Sequence, residues 1–97
     1  MGIGQPDFKT PEHIVNAAVK ALKDGNHGYT PANGILELRE AVSKDLLLRR
    51  NANVNPDNIL IVPGGKVTMW HAILMFGGKN KEIIYPNPGF PIYESVI

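Results

Sequence analysis

An α/β layer fold is predicted by the order of periodic and non-periodic segments along this 97-residue chain. Three observations carry that expectation. Apolar residues recur at spacings of three and four in three separate stretches, the period of helices that bury one face. Two short runs, Ile59-Leu60-Ile61-Val62 and Glu82-Ile83-Ile84-Tyr85, are rich in β-branched residues, as strands covered on both faces are. Each run ends in a turn built from proline and glycine, Pro63-Gly64-Gly65 after the first and Pro86 to Gly89 after the second. Helix, helix, strand, helix, strand is the opening of an α/β sheet with covering helices.

Residues 1–9 read as loop, with two glycines, one proline and no period. A first helix is expected to begin at Thr10-Pro11-Glu12. The threonine can accept from an unpaired first-turn N–H, proline suits the first helical position, and the acid favours the positive helix end. Ile14, Ala17, Ala18, Ala21 and Leu22 form its apolar stripe, and Asp24-Gly25-Asn26 ends it, with Gly25 able to turn left-handed. Residues 26–34 are loop. A second helix runs from about Ile35 to Arg50 on the stripe Ile35, Leu38, Ala41, Val42 and Leu46. Glu40–Lys44 and Asp45–Arg49 stand four apart with the acid first, the better order for surface pairs. A polar loop with Pro56 precedes the first strand. The third helix spans about Lys66 to Phe76, with Met69, Ile73, Phe76, Trp70 and Leu74 on its inner side, and Gly77-Gly78 stops it. The C-terminal residues Tyr93 to Ile97 read as the first turn of a further helix, and both chain ends read as cut.

The size allows one small domain at most, with a marginal core. Hydrophobic residues make up 43% of the sequence, a globular value. Ten basic and nine acidic residues nearly cancel, which leaves no excess positive charge for phosphate backbones and argues against nucleic acid as a partner. There is no cysteine, so neither disulfides nor thiolate metal sites can form. His13, His27 and His71 have no spacing that brings two onto one helical face, so no metal site is expected. The start carries no basic and apolar leader pattern, and no apolar run nears the ~20 residues that span a bilayer. A cytoplasmic location without membrane attachment follows.

Two places could carry chemistry. Pro63-Gly64-Gly65-Lys66 joins a strand to a helix, where glycines let backbone N–H groups approach an anion and the helix end adds positive potential. Most such turns bind nothing, so the turn alone does not select phosphate. It is not a Walker A loop, because Leu60 stands where the first glycine belongs and Val67 where the magnesium-holding hydroxyl belongs. Nor is it a dinucleotide fingerprint, since no third glycine follows. Asn87-Pro88-Gly89-Phe90-Pro91 follows the second strand, and ligands of open α/β sheets gather at the carboxyl ends of strands. Phe90 could lie flat on an aromatic ligand; on local grounds the better reading is an aromatic that covers the sheet end. Trp70 and Met69 read as core, and Arg49-Arg50 with Lys44 as a solvated helix face.

Four blocks taken together resemble a known family. Gly4-Gln5-Pro6-Asp7-Phe8 with Thr10-Pro11-Glu12-His13-Ile14 is similar to the opening of class I/II aminotransferases, the aspartate aminotransferase family of fold type I. Tyr29 to Ile35 with Glu37-Leu38-Arg39-Glu40-Ala41 resembles its next block. Asn58 to Lys66 resembles the third, and Asn87 to Tyr93 the fourth. The blocks are individually weak and jointly specific, because they occur in order and cover almost the whole chain.

The resemblance implies an incomplete piece of that fold: residues 1–34 as N-terminal arm, first helix and loop, and 35–97 as the second helix and the start of the large cofactor-binding α/β domain, with an unfinished sheet. It implies pyridoxal 5'-phosphate as cofactor, amino acid and 2-oxo acid as substrates, and a homo-oligomer. It also implies roles. The backbone at Gly4 lies at the substrate carboxylate. Tyr29 reaches the cofactor phosphate of the neighbouring subunit. The N–H groups of Gly65, Lys66 and Val67 bind the phosphate of their own subunit, and Phe90 stacks on the pyridine ring. The family's cofactor-linking lysine, its pyridine-nitrogen aspartate and its carboxylate-gripping arginine all lie downstream, so no catalytic residue is expected here and Lys66 is not the linking lysine. Alone, the chain is expected to be inactive. A lyase or acyl-CoA-dependent synthase on the same fold, or a non-catalytic remnant that assembles with a partner chain, remains the alternative. Two departures stand out: Gly77-Gly78-Lys79-Asn80-Lys81-Glu82 replaces a Pro-Gly-Asp-Glu-like turn, and Trp70-His71 is bulkier than the family pattern.

Overall fold

The computed structural model describes residues 4–97. The chain divides into two units, Met1–Thr30 and Pro31–Ile97. The first holds one helix, α1 (Glu12–Lys23). Its start departs from expectation. Pro11, not Thr10, occupies the cap position, and no side chain caps the helix. The reason is backbone geometry: Pro11 stays extended at ψ 137°, so its own carbonyl accepts from the N–H groups of Ile14 and Val15. The far end follows the sequence, with Gly25 at φ +85° and Lys20 paired to Asp24. Ile14 and Leu22 of the apolar stripe stay half exposed or more.

The second unit carries α2 (Leu36–Arg50), a 3₁₀ turn (Pro56–Asn58), α3 (Gly65–Phe76) and the short α4 (Ile92–Val96). Asn51 closes α2 in the left-handed conformation at φ 52°, its N–H donating to the Leu47 carbonyl and the Ala52 N–H to that of Leu46. Asp45 and Arg49 pair at 2.7 Å, as the spacing predicts, whereas Glu40–Lys44 is not among the ion pairs of the described residues. The Asn55 side chain accepts from the Asp57 N–H and so starts the 3₁₀ turn. α2 packs on that turn, and α3 packs on α4.

Two expectations need correction. No strand forms among the described residues: segments 59–62 and 82–85 make no ladder. A strand exists only through hydrogen bonds to a neighbour, and the first segment has a single backbone bond of that kind, Ile61 N–H to the Asn33 carbonyl at 3.1 Å. The second correction concerns the core. No hydrophobic side chain of the described residues is buried, and Trp70 is 44% exposed. Helix α3 is apolar on nearly every side, a pattern that asks for cover all round. Ile73 is half covered, whereas Leu74, Met75 and Phe76 stand in solvent. The one buried side chain among the described residues is a charged one, Arg39 at 8% exposure.

Candidate functional site

The turn before α3 is shaped by Gly64, which holds the cap position at φ 86° and ψ 154°. Only glycine takes that conformation without strain. A Cβ placed at Gly64 or Gly65 would meet nothing within 4 Å, so the space in front of the turn is open. No side chain caps the helix and no acid sits in its first turn. The N–H groups of Gly65, Lys66 and Val67 belong to the first turn and have no intrahelical acceptor. An uncapped positive helix end of this kind favours an anion.

Phe90 lies within reach of the same end. The Lys66 ammonium stands 5.7 Å from the centroid of its ring, a cation–π arrangement. Phe90 remains half exposed. Its carbonyl accepts from the Tyr93 N–H at 3.2 Å, which fixes the loop to the start of α4. Tyr93 in turn stacks on Tyr85, with ring centroids 6.0 Å apart and planes 28° from parallel. The Asn87–Pro88 peptide bond inside this loop is cis.

The structure thus gathers Gly65, Lys66, Val67 and Phe90 in one unit. Gly4, at φ +65°, and the fully exposed Tyr29 lie in the other unit, where Tyr29 lines a shallow recess with His27 and Gly28. No group of His, Cys, Asp and Glu among the described residues could hold a metal. No helix among the described residues is long and apolar enough to cross a membrane.

Sequence reasoning missed Arg39 as a structural centre. Its Nε donates to the Gly34 carbonyl at 3.3 Å, and its Nη1 donates to the Pro56 carbonyl at 2.8 Å and to the Asp57 carboxylate at 3.1 Å. The signal was available: Arg39 falls four residues after Ile35, three before Val42 and seven before Leu46, a charged residue on the apolar side of α2.

The start of α3 is open, and an exposed aromatic ring lies near it. The family profile Aminotransferase class I and II matches residues 1–97, and the chain belongs to this family. It is 42% identical over 96 residues to a probable aspartate aminotransferase of Methanocaldococcus jannaschii, covering 99% of this chain and 26% of that protein. It is 39% identical over 95 residues to the (5-formylfuran-3-yl)methyl phosphate transaminase of the same organism, covering 98% of this chain and 26% of that one. To the aspartate aminotransferase of Bacillus subtilis it is 31% identical over 97 residues, all of this chain and 25% of the other. The chain spans about a quarter of the length of the curated relatives it matches. No solved structure matches it at a significant level.

Proposed function

We propose that this chain supplies the phosphate and ring contacts of a pyridoxal-phosphate aminotransferase that moves an amino group from an amino acid to a 2-oxo acid, and that the 97 residues alone are inactive. One observation carries the reading: the uncapped, acid-free start of α3 lies beside Phe90. The residues fit the cofactor. The N–H groups of Gly65, Lys66 and Val67 would donate to phosphate oxygens, and the helix adds positive potential there. Phe90 would cover one face of the pyridine ring, an arrangement of two flat π systems. Lys66 has a flexible stem, so its ammonium can leave that face and turn to the phosphate. Tyr29 would reach the phosphate of a neighbouring subunit and Gly4 the substrate carboxylate. When bound, the group supplies an electron sink for cleavage next to the amino nitrogen.

The rest of the proposal follows the family. Residues 1–34 serve as arm, helix and loop, and 35–97 open the large domain. Segments 59–62 and 82–85 become strands once sheet neighbours pair with them. The apolar side chains left open on α3 favour association, in a homo-oligomer located in the cytoplasm. Inactivity rests on chemistry: covalent catalysis needs a positioned, activated lysine amine, and none of the family's downstream groups is among these residues.

The test is a titration of the labelled chain with inorganic phosphate followed by NMR. The amides of Gly65 to Thr68 should move first. Movement elsewhere with these amides still would end the phosphate assignment.

A further inference from the structure

We propose that Arg39 is a positioning residue for the anion turn at Gly64-Gly65-Lys66, acting through Gly34, Asn33 and Ile61; the inference rests on that turn being the phosphate site. Arg39 is the one buried side chain among the described residues, and burying a guanidinium, which keeps its charge, is costly unless partners meet its donors. Nε and Nη1 find their partners on two separate pieces of chain. Nε holds the Gly34 carbonyl just before α2, and Nη1 holds the Pro56 carbonyl and Asp57 in the 3₁₀ turn. The forked head spans both, which the single nitrogen of a lysine cannot do in the same geometry.

Gly34 is itself locked onto the next segment. It sits at φ +97°, and a Cβ there would fall 2.5 Å from Ile61 Cγ1. Its neighbour Asn33 accepts the Ile61 N–H at 3.1 Å. Segment 59–62 is therefore fixed at its entrance by the Arg39 contacts to Pro56 and Asp57, and in its middle by Asn33 and Gly34. From Ile61 to Gly64 the chain passes only through Val62 and Pro63. Proline fixes its own φ and restricts the residue before it, so this link is short and stiff. The Gly64 N–H bonds back to the Val62 carbonyl at 3.0 Å, which shortens the free chain further. A displacement at Ile61 is thus carried to the N–H groups of Gly65 to Val67.

The 97-residue chain, uniformly labelled with nitrogen-15, provides the test in two arms. Without ligand, Arg39→Met should raise amide exchange at Ile61 and shift the amides of 61–66, while 73–76 at the far end of α3 stay in place. With inorganic phosphate, Arg39→Met and Gly34→Ala should each weaken binding read at Gly65–Val67 by about fivefold, the size of one net hydrogen bond. Arg39→Lys should fall between, and Asp45→Asn, which breaks an exposed pair on the same helix, should bind like the parent. Unchanged exchange at Ile61 together with parent-like phosphate binding in both variants overturns the proposal. Collapse of all α2 signals in both variants also overturns it, because Arg39 would then be a folding residue. If the parent ignores phosphate but the first arm behaves as stated, the phosphate reading fails and the placement of the turn by Arg39 stands. A parent chain without dispersed amide signals would sink both.

Discussion

The stretch around Arg39 and the α3–α4 stretch solve the same problem in opposite ways. Around Arg39, polar groups close on one another. One guanidinium satisfies two carbonyls and a carboxylate, the Ser43 hydroxyl donates to the Val54 carbonyl at 2.6 Å, and glycine at 34 lets Ile61 pack against the backbone. Around α3, apolar side chains remain open: Met75 is 72% exposed and Ile84 99%. A hydrogen-bond network is complete as soon as its few donors and acceptors meet. An apolar face gains only by area covered, and a short chain has little area to offer. Among the described residues, local polar closure therefore forms where a sheet and an apolar core do not.

The sharpest way to break the closed side is Gly34→Ala. The left-handed φ costs an alanine about 1–2 kcal/mol, and the clash with Ile61 adds about 1–3 kcal/mol of overpacking. A loss near 3 kcal/mol in the local opening energy of α2, read by native-state hydrogen exchange, is expected; a loss below 1 kcal/mol would show that the loop slides away from Ile61 freely. Arg39→Met comes next, at about 2 kcal/mol, since hydrogen bonds to a charged group carry about 1.5–3 kcal/mol and Asp57 is largely exposed. An urea titration following α2 should register it.

The open side is tested by association. Phe76→Glu and Ile84→Lys replace exposed apolar groups and should change helix stability by about 0.5 kcal/mol or less. They should nonetheless lower the mass seen by light scattering at high concentration. A parent chain that stays monomeric at every concentration would remove the case for association. The smallest effect is expected at Asp45→Asn, about 0.3–0.5 kcal/mol for an exposed helix pair, checked by the melting of α2. A separate check addresses chemistry. After incubation with pyridoxal phosphate and borohydride reduction, no stoichiometric adduct should map to Lys66, which does not match the family's cofactor-linking lysine.

Some of this was legible residue by residue. α1, α2 and α3 lie within a residue or two of where apolar periodicity and glycine stops put them. The positive φ of Gly25 and the Asp45–Arg49 pair follow from local spacing. The turn before α3 was legible too, because Gly64 comes just before a helix and takes a positive φ. Two expectations failed, one local and one that depends on distant partners. Thr10 was expected to cap α1 on residue type, but the backbone of Pro11 decided otherwise. Ile59–Val62 and Glu82–Tyr85 have strand composition and no ladder, because composition cannot supply the neighbouring strand.

The sequence by itself determined where helices start and stop, since those signals act over three or four residues, and it determined the family, since four ordered blocks survive in one chain. Only the tertiary structure decided that Arg39 is the buried centre, and that Lys66 meets Phe90 across 24 residues of chain. Both are contacts between segments far apart in sequence. Helical periodicity says which side of a helix seeks cover; it does not say what will cover it. That choice is made where the segments meet, by which donors, rings and glycines arrive at the same place.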